Sequence, residues 1–121
     1  MLLHPVTALM LYRRIDQLNI TILNASPHSD SGQRLAALLD RQQKSTIEKQ
    51  IGMKLKIVNI SSVREQTILP KTKIYFHANL MREALILAQI LPGEQVIEPM
   101  PESRISKLAT DVEIYVGKNF E

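Results

Sequence analysis

His28 and Asp30, set among Ser26, Ser29 and Ser31 in the stretch SPHSDS, are the residue types of a base, an orienting acid and a nucleophile. Their closeness along the chain argues against that use. Neighbouring loop side chains seldom converge on one relay, and no Gly-x-Ser-x-Gly elbow precedes the helix that follows. Turn formation and helix capping explain the same residues. His77 stands apart, at the end of another strand. We therefore expect no catalytic residue and no enzymatic activity.

Metal and cofactor chemistry finds as little footing. His4, His28 and His77 are dispersed, with no H-x-x-x-H pair or acidic cluster at helical spacing, and the chain has no cysteine. The glycines at 32, 52, 93 and 117 never group into a phosphate-binding loop. No metal and no cofactor is expected. An unpaired helix start at Ser31 to Gln33 can attract an anion, but that holds for helix starts in general.

The formal charge of +3 is unevenly spread. Residues 1–80 carry eleven Lys and Arg against five Asp and Glu, whereas 81–121 carry four against seven. Lys54, Lys56, Lys71 and Lys73 are the candidate contacts for a polyanion. With three Tyr, two Phe and no Trp there is little to stack on bases, so no nucleic acid is expected.

These side chains have to be placed by an α/β scaffold. In TKIYFHANLMREALILAQIL, residues 72–91, hydrophobic alternation gives way to a helical period: Ile74 and Phe76 share one face of a strand, and Leu80, Ala84, Leu87, Ala88 and Leu91 recur at helical steps. Asn19 to Ala25 is an earlier strand. Its loop leads to a helix capped by Asp30 or Ser31 and running from about Gly32 to Ile51, with a polar gap at Gln42 and Gln43 and a stop at Gly52. Lys54 to Ile60 alternates Leu55 and Ile57 against Lys54 and Lys56, a strand with one wet face towards an edge of the sheet. Ser61 to Lys71 reads as loop. Pro92-Gly93 ends the second helix, Gln95 to Glu98 forms a short strand, a loop-like segment precedes Ser103 to Leu108, and Asp111 to Val116 is the last strand. The fold class is α/β, a two-layer sandwich of two main helices on a mixed sheet of four to five strands in the order β-α-β-β-α-β-β. The strands from Asn19, Thr72 and Asp111 are the central ones. A ferredoxin-like arrangement with an added strand is a competing order.

The chain fits one domain, residues 18–121, preceded by an arm over 1–17. Within that arm Val6 to Ile15 reads as a short amphipathic helix docking on the domain or on another copy. Met1 to Tyr12 is too short to span a membrane and lacks the flanks of a signal peptide. Any membrane association is expected through a region outside this chain.

The succession NITILNAS at 19–26, IGMKLKIVNISS at 51–62, TKIYFHANLMREALILAQILPG at 72–93 and TDVEIYVGKNF at 110–120 resembles the LytR C-terminal domain family, found beside the LytR/CpsA/Psr phosphotransferase domains. The resemblance covers about residues 18–120 and rests on the ordered set of four short motifs. Three departures accompany it: SPHSDS replaces a loop that usually has glycine near Ser26, the first helix looks longer, and Asn119 stands where Asp is common. The resemblance implies a non-catalytic accessory domain on the periplasmic side of a bacterial cell envelope. It also implies contact with an envelope protein or a cell-wall polymer.

The candidate binding loop is Asn24, Ser26, His28, Asp30 and Ser31. The alternative function is structural: Met81, Leu85, Ile86 and Ile90 add apolar positions around nearly the whole second helix, which suits a homodimer. A nucleic-acid or polyanion-binding module is the remaining, less favoured reading. Without an export signal in the chain, a cytoplasmic site stays open beside the envelope.

Overall fold

The computed structural model describes residues 17–62, 68–100 and 110–120. The arm over 1–16 and the 103–108 segment lie outside them. A five-stranded mixed sheet carries helices on one face. The strands are β1 (Gln17–Asn24), β2 (Lys54–Ser62), β3 (Thr72–Phe76), β4 (Gln95–Pro99) and β5 (Val112–Val116), in spatial order β2-β1-β5-β3-β4. β2 and β5 lie parallel to β1, β4 lies parallel to β3, and β3 meets β5 antiparallel. β1 with β2, and β3 with β4, are each joined through helix. Right-handed crossovers on two oppositely directed pairs put both helical connections on the same face.

This order excludes the ferredoxin-like alternative, in which another strand separates the two strands of a βαβ unit. Here β1 and β2 are direct neighbours, as are β3 and β4. The strands expected to be central, β1, β3 and β5, are the inner three.

The alternation of each inner strand sends every second residue into the helix layer. Leu18, Ile20 and Ile22 from β1, Ile74 and Phe76 from β3, and Val112, Ile114 and Val116 from β5 are buried there. Leu35, Leu39, Ile47, Ala84 and Leu87 meet them from the helices. Burial of each large side chain contributes about 1.5–3 kcal/mol, and this one-sided layer is the main stabilising term.

The first helical connection differs from the single helix expected over 32–51. It is α1 (Ser31–Ala37), a widened turn over Leu38–Gln42, and α2 (Lys44–Ile51). The Gln43 amide reaches back five residues to the Leu38 carbonyl, at 2.8 Å. The widening falls beside the polar gap at Gln42 and Gln43, where no apolar stripe holds an α-helical period against the sheet. Gly52 stops α2 with φ +77°. β2 extends through Ser62, two residues into the stretch expected to be loop. The second connection is a 3₁₀ turn, Ala78–Leu80, followed by α3 (Met81–Ile90). Arg82 crosses from α3 to the last turn of α2, donating to the Gln50 carbonyl at 2.8 Å.

A polar junction closes the sheet where β5 leaves it. The Gly117 amide donates to Thr72 Oγ1 at 3.0 Å, and the Thr72 amide donates to Asn119 Oδ1 at 3.0 Å. Asn119 Nδ2 donates in turn to the Glu94 carbonyl at 2.8 Å. A Cβ on Gly117 would sit 2.4 Å from the Lys71 carbonyl carbon and 2.6 Å from the Thr72 nitrogen. Gly117→Ala is therefore expected to cost about 3 kcal/mol, since backbone rather than a flexible side chain has to move. Asn119→Asp removes the donor to Glu94 and is expected to cost about 1–2 kcal/mol. Urea denaturation of the two variants checks both values, and an unchanged midpoint for either would show that its contact is not needed.

Candidate functional site

The chain turns sharply after β1 because its own side chains hold it. Asn24 is buried at the strand's end, accepting from the Ser26 amide at 3.0 Å and donating to the His28 carbonyl at 2.8 Å. Ser26 Oγ accepts from the His28 amide at 3.1 Å and lies 2.8 Å from the hydroxyl of the fully buried Ser31. Ser26, one of the three serines considered as a nucleophile, is thus bound up in the loop's internal cross-links. His28 enters these bonds through its backbone. Asp30 occupies the helix N-cap position, yet its side chain makes no capping bond, contrary to the capping expected of it. It lies 3.7 Å from Arg34, both exposed.

Topology separates the two histidines. His28 follows β1 at one end of the sheet. His77 follows the oppositely directed β3, where its amide donates to the Asp111 carbonyl and its Nε2 lies 3.2 Å from the Thr110 carbonyl, which places the ring proton on Nε2. Asn19 and Asp111 pair at that same end: the Asn19 amide donates to Asp111 Oδ2 and the Asp111 amide to the Asn19 carbonyl, both at 2.8 Å. From Asn19 to Asn24 the strand covers about 17 Å. No relay spans that distance. Among the described residues no group of three or more His, Asp or Glu is placed to hold a metal ion.

The four candidate lysines divide in the same way. Lys54 and Lys56 lie on the β2 edge, whereas Lys71 and Lys73 lie at and just before β3, on the far side of β1 and β5. Lys71 sits 2.8 Å from Glu94 and, by that hydrogen bond, holds its carboxyl below the usual range. Lys73 bonds the Tyr75 hydroxyl at 3.3 Å and lies 3.7 Å from Glu98; first the hydroxyl and then the carboxylate hold its ammonium above the ordinary lysine value. The Tyr75 ring meets Tyr115 edge to face, 5.6 Å between centroids. These contacts belong to the sheet face opposite the helices, where Glu113 is also buried, at 3% exposure. Lys54 and Lys56 have no ion-pair partner among the described residues.

A concavity lies elsewhere, where the residue types suggested no chemistry. A groove of about 730 Å³ opens between the first helical connection and β2, lined by Ala36, Ala37, Asp40 and Arg41 on one side and by residues 57–60 on the other. Two irregularities shape it. The widened turn carries Asp40 and Arg41. In β2, Ile57 pairs with Ile20 but Asn59 pairs with Thr21, so Val58 is an extra residue and the strand bends. Val58 and Ile60 remain 41% and 37% exposed. The signals in the sequence were adjacent Ile57 and Val58, which break strict alternation, and the Ala36-Ala37 pair, too small to fill the space above them.

Replacing Asn24 by alanine is expected to cost about 1–2 kcal/mol, because it frees the buried end of the loop. His28→Ala is expected to stay within about 0.5 kcal/mol. Thermal denaturation compares them, and a larger loss for His28 would reverse the assignment of the loop to Asn24. Comparison with known proteins adds no relative: no family model, curated protein or solved structure matches the chain.

Proposed function

We propose that this chain is a non-catalytic interaction domain of a bacterial cell-envelope protein, of the LytR C-terminal kind, and that it contacts a protein partner through the β2 side of the sheet. The groove between α1 and β2 carries the proposal. It offers exposed Val58 and Ile60, the charged pair Asp40 and Arg41, and a strand edge that pairs only with β1 among the described residues.

Three further observations support this reading. Ser26, Asn24 and His77 have structural partners that account for their presence without catalysis. Lys71 and Lys73 are engaged with carboxylates and stand apart from Lys54 and Lys56, which favours a protein partner over a cell-wall polymer gripped by one basic surface. The envelope location rests on the order of the four motifs. None of the described helices is long and apolar enough to cross a membrane.

A homodimer through α3 is the second reading. Met81 and Leu85, one turn apart, are 52% and 47% exposed, while Ile86 and Ile90 are half-buried and pack on the core. Under the first reading the chain sediments as a monomer over a hundredfold concentration range. A dimer lost in Leu85→Glu would replace it with the second.

A photo-crosslinking residue at Val58 is expected to capture protein in the envelope fraction of the host cell, and one at exposed Asn79 is not. Equal capture at the two positions, or none at Val58, would refute the assigned surface. Capture confined to the cytoplasmic fraction would refute the location.

A further inference from the structure

The two edges of the sheet are not equivalent. β4 is five residues long, ends in Pro99, and has Glu98 engaged with Lys73. Proline and a paired charge make it a poor template for another strand. β2 is nine residues long, exposed continuously from Val58 to Ser62, and its side chains fall into two sets. Leu55 and Ile57, and beyond the bulge Ile60, face the helix layer beside the groove; Lys54 and Lys56 face the opposite side. At the start of the strand the Leu55 amide is already taken by Glu48 Oε2, at 2.7 Å. The remaining edge has no backbone partner among the described residues.

We infer that the edge of β2 receives, as a sixth strand, an extended polypeptide segment in which acidic and apolar residues alternate. The inference rests on the protein-interaction reading and narrows it to one partner chemistry. Pleating puts successive side chains of an added strand on opposite faces. Its acidic set comes to lie beside Lys54 and Lys56, which have no carboxylate partner among the described residues. Its apolar set comes to lie against Ile57, Ile60 and the alanines of α1, where the groove leaves room. Main-chain hydrogen bonds supply the affinity and the two side-chain sets supply the selection.

The charges argue against a second copy as the occupant. The strand KLKIVNISS contains no Asp or Glu, so pairing β2 with itself adds two more lysines to one face and supplies nothing to neutralise them. Like charges on an edge are a means by which sheets avoid self-pairing, and the same charges admit an acidic strand.

The test uses the purified full chain and synthetic peptides of about eight residues, the length of an ordinary strand, alternating Glu with Val. Fluorescence anisotropy is expected to show saturable binding that weakens as salt is raised, and about tenfold weaker binding or less when Lys replaces Glu in the peptide. The K54E/K56E double variant is expected to reverse the preference between the two peptides. N-methylation of alternate peptide amides is expected to abolish binding in one of the two alternating sets and spare the other, because only one set faces β2. Binding that survives both methylation patterns would overturn the added strand in favour of a charged patch. Self-association of the chain that K54E/K56E leaves unchanged would overturn it in favour of a second copy. If neither peptide binds while Val58 still captures protein in cells, the acidic strand fails and the interaction reading stands.

Discussion

The molecule depends on β5, the last strand in sequence, being inserted between two units that were complete before it. β1 with β2, and β3 with β4, are each a parallel pair with its own crossover. Among the described strands β5 alone joins them within the sheet, parallel to β1 on one side and antiparallel to β3 on the other. Its inward residues Val112, Ile114 and Val116 are fully buried between the two halves of the core. Every contact linking the halves across the sheet is therefore between residues far apart in sequence, and the loop-closure entropy they offset is correspondingly large. Outside the sheet the halves also meet where Arg82 donates to the Gln50 carbonyl and the Leu69 amide to the Ala25 carbonyl, but single hydrogen bonds cannot substitute for a buried strand.

Both ends of β5 are fixed by polar groups chosen for geometry. Asp111 and Asn19 exchange two bonds that set the register with β1, and Gly117, Thr72 and Asn119 lock the register with β3. Asn119 has to accept from one amide and donate to one carbonyl. An aspartate at that position could do only the first. Glycine at 117 follows from the approach of the Lys71 and Thr72 backbone. Residues that attract attention as motif signatures are here the fasteners of a late-arriving strand.

This also explains which parts of the fold were legible in the sequence. Ile20, Ile22, Ile74, Phe76, Val112 and Ile114 announce their faces because a sheet with one buried side imposes a period of two, and the centrality of their strands follows from their apolarity. The widened turn at Leu38–Gln42 and the bulge at Val58 were not legible as elements. Each is a single-residue departure from a period, and a period read over a window averages such a departure away. The groove was missed for the same reason: it exists where a helix and a strand both depart from regularity at the same height. The Asn24 to Ser31 loop was found as a polar cluster, but composition cannot distinguish side chains aimed at a ligand from side chains aimed at one another. Buried Asn24 decides between these in the structure, accepting from the Ser26 amide and donating to the His28 carbonyl within the loop itself.

Charge segregation follows from the same layout. On the β3–β4 side Lys71 and Lys73 each have a nearby carboxylate: Glu94, just before β4, for Lys71, and for Lys73 the diagonal Glu98, which is level with Tyr75. Among the described residues β2 has a neighbour on one side only, and the residues of β1 level with Lys54 and Lys56 are Gln17 and Asn19, which are neutral. An exposed ion pair contributes at most about 1 kcal/mol, so folding alone exerts little pressure to add a carboxylate there. What these lysines, without an ion-pair partner among the described residues, do change is the set of strands that can lie beside them. An edge that no described residue neutralises or covers, next to an apolar groove, is selective in a way that the short, proline-ended β4 edge is not.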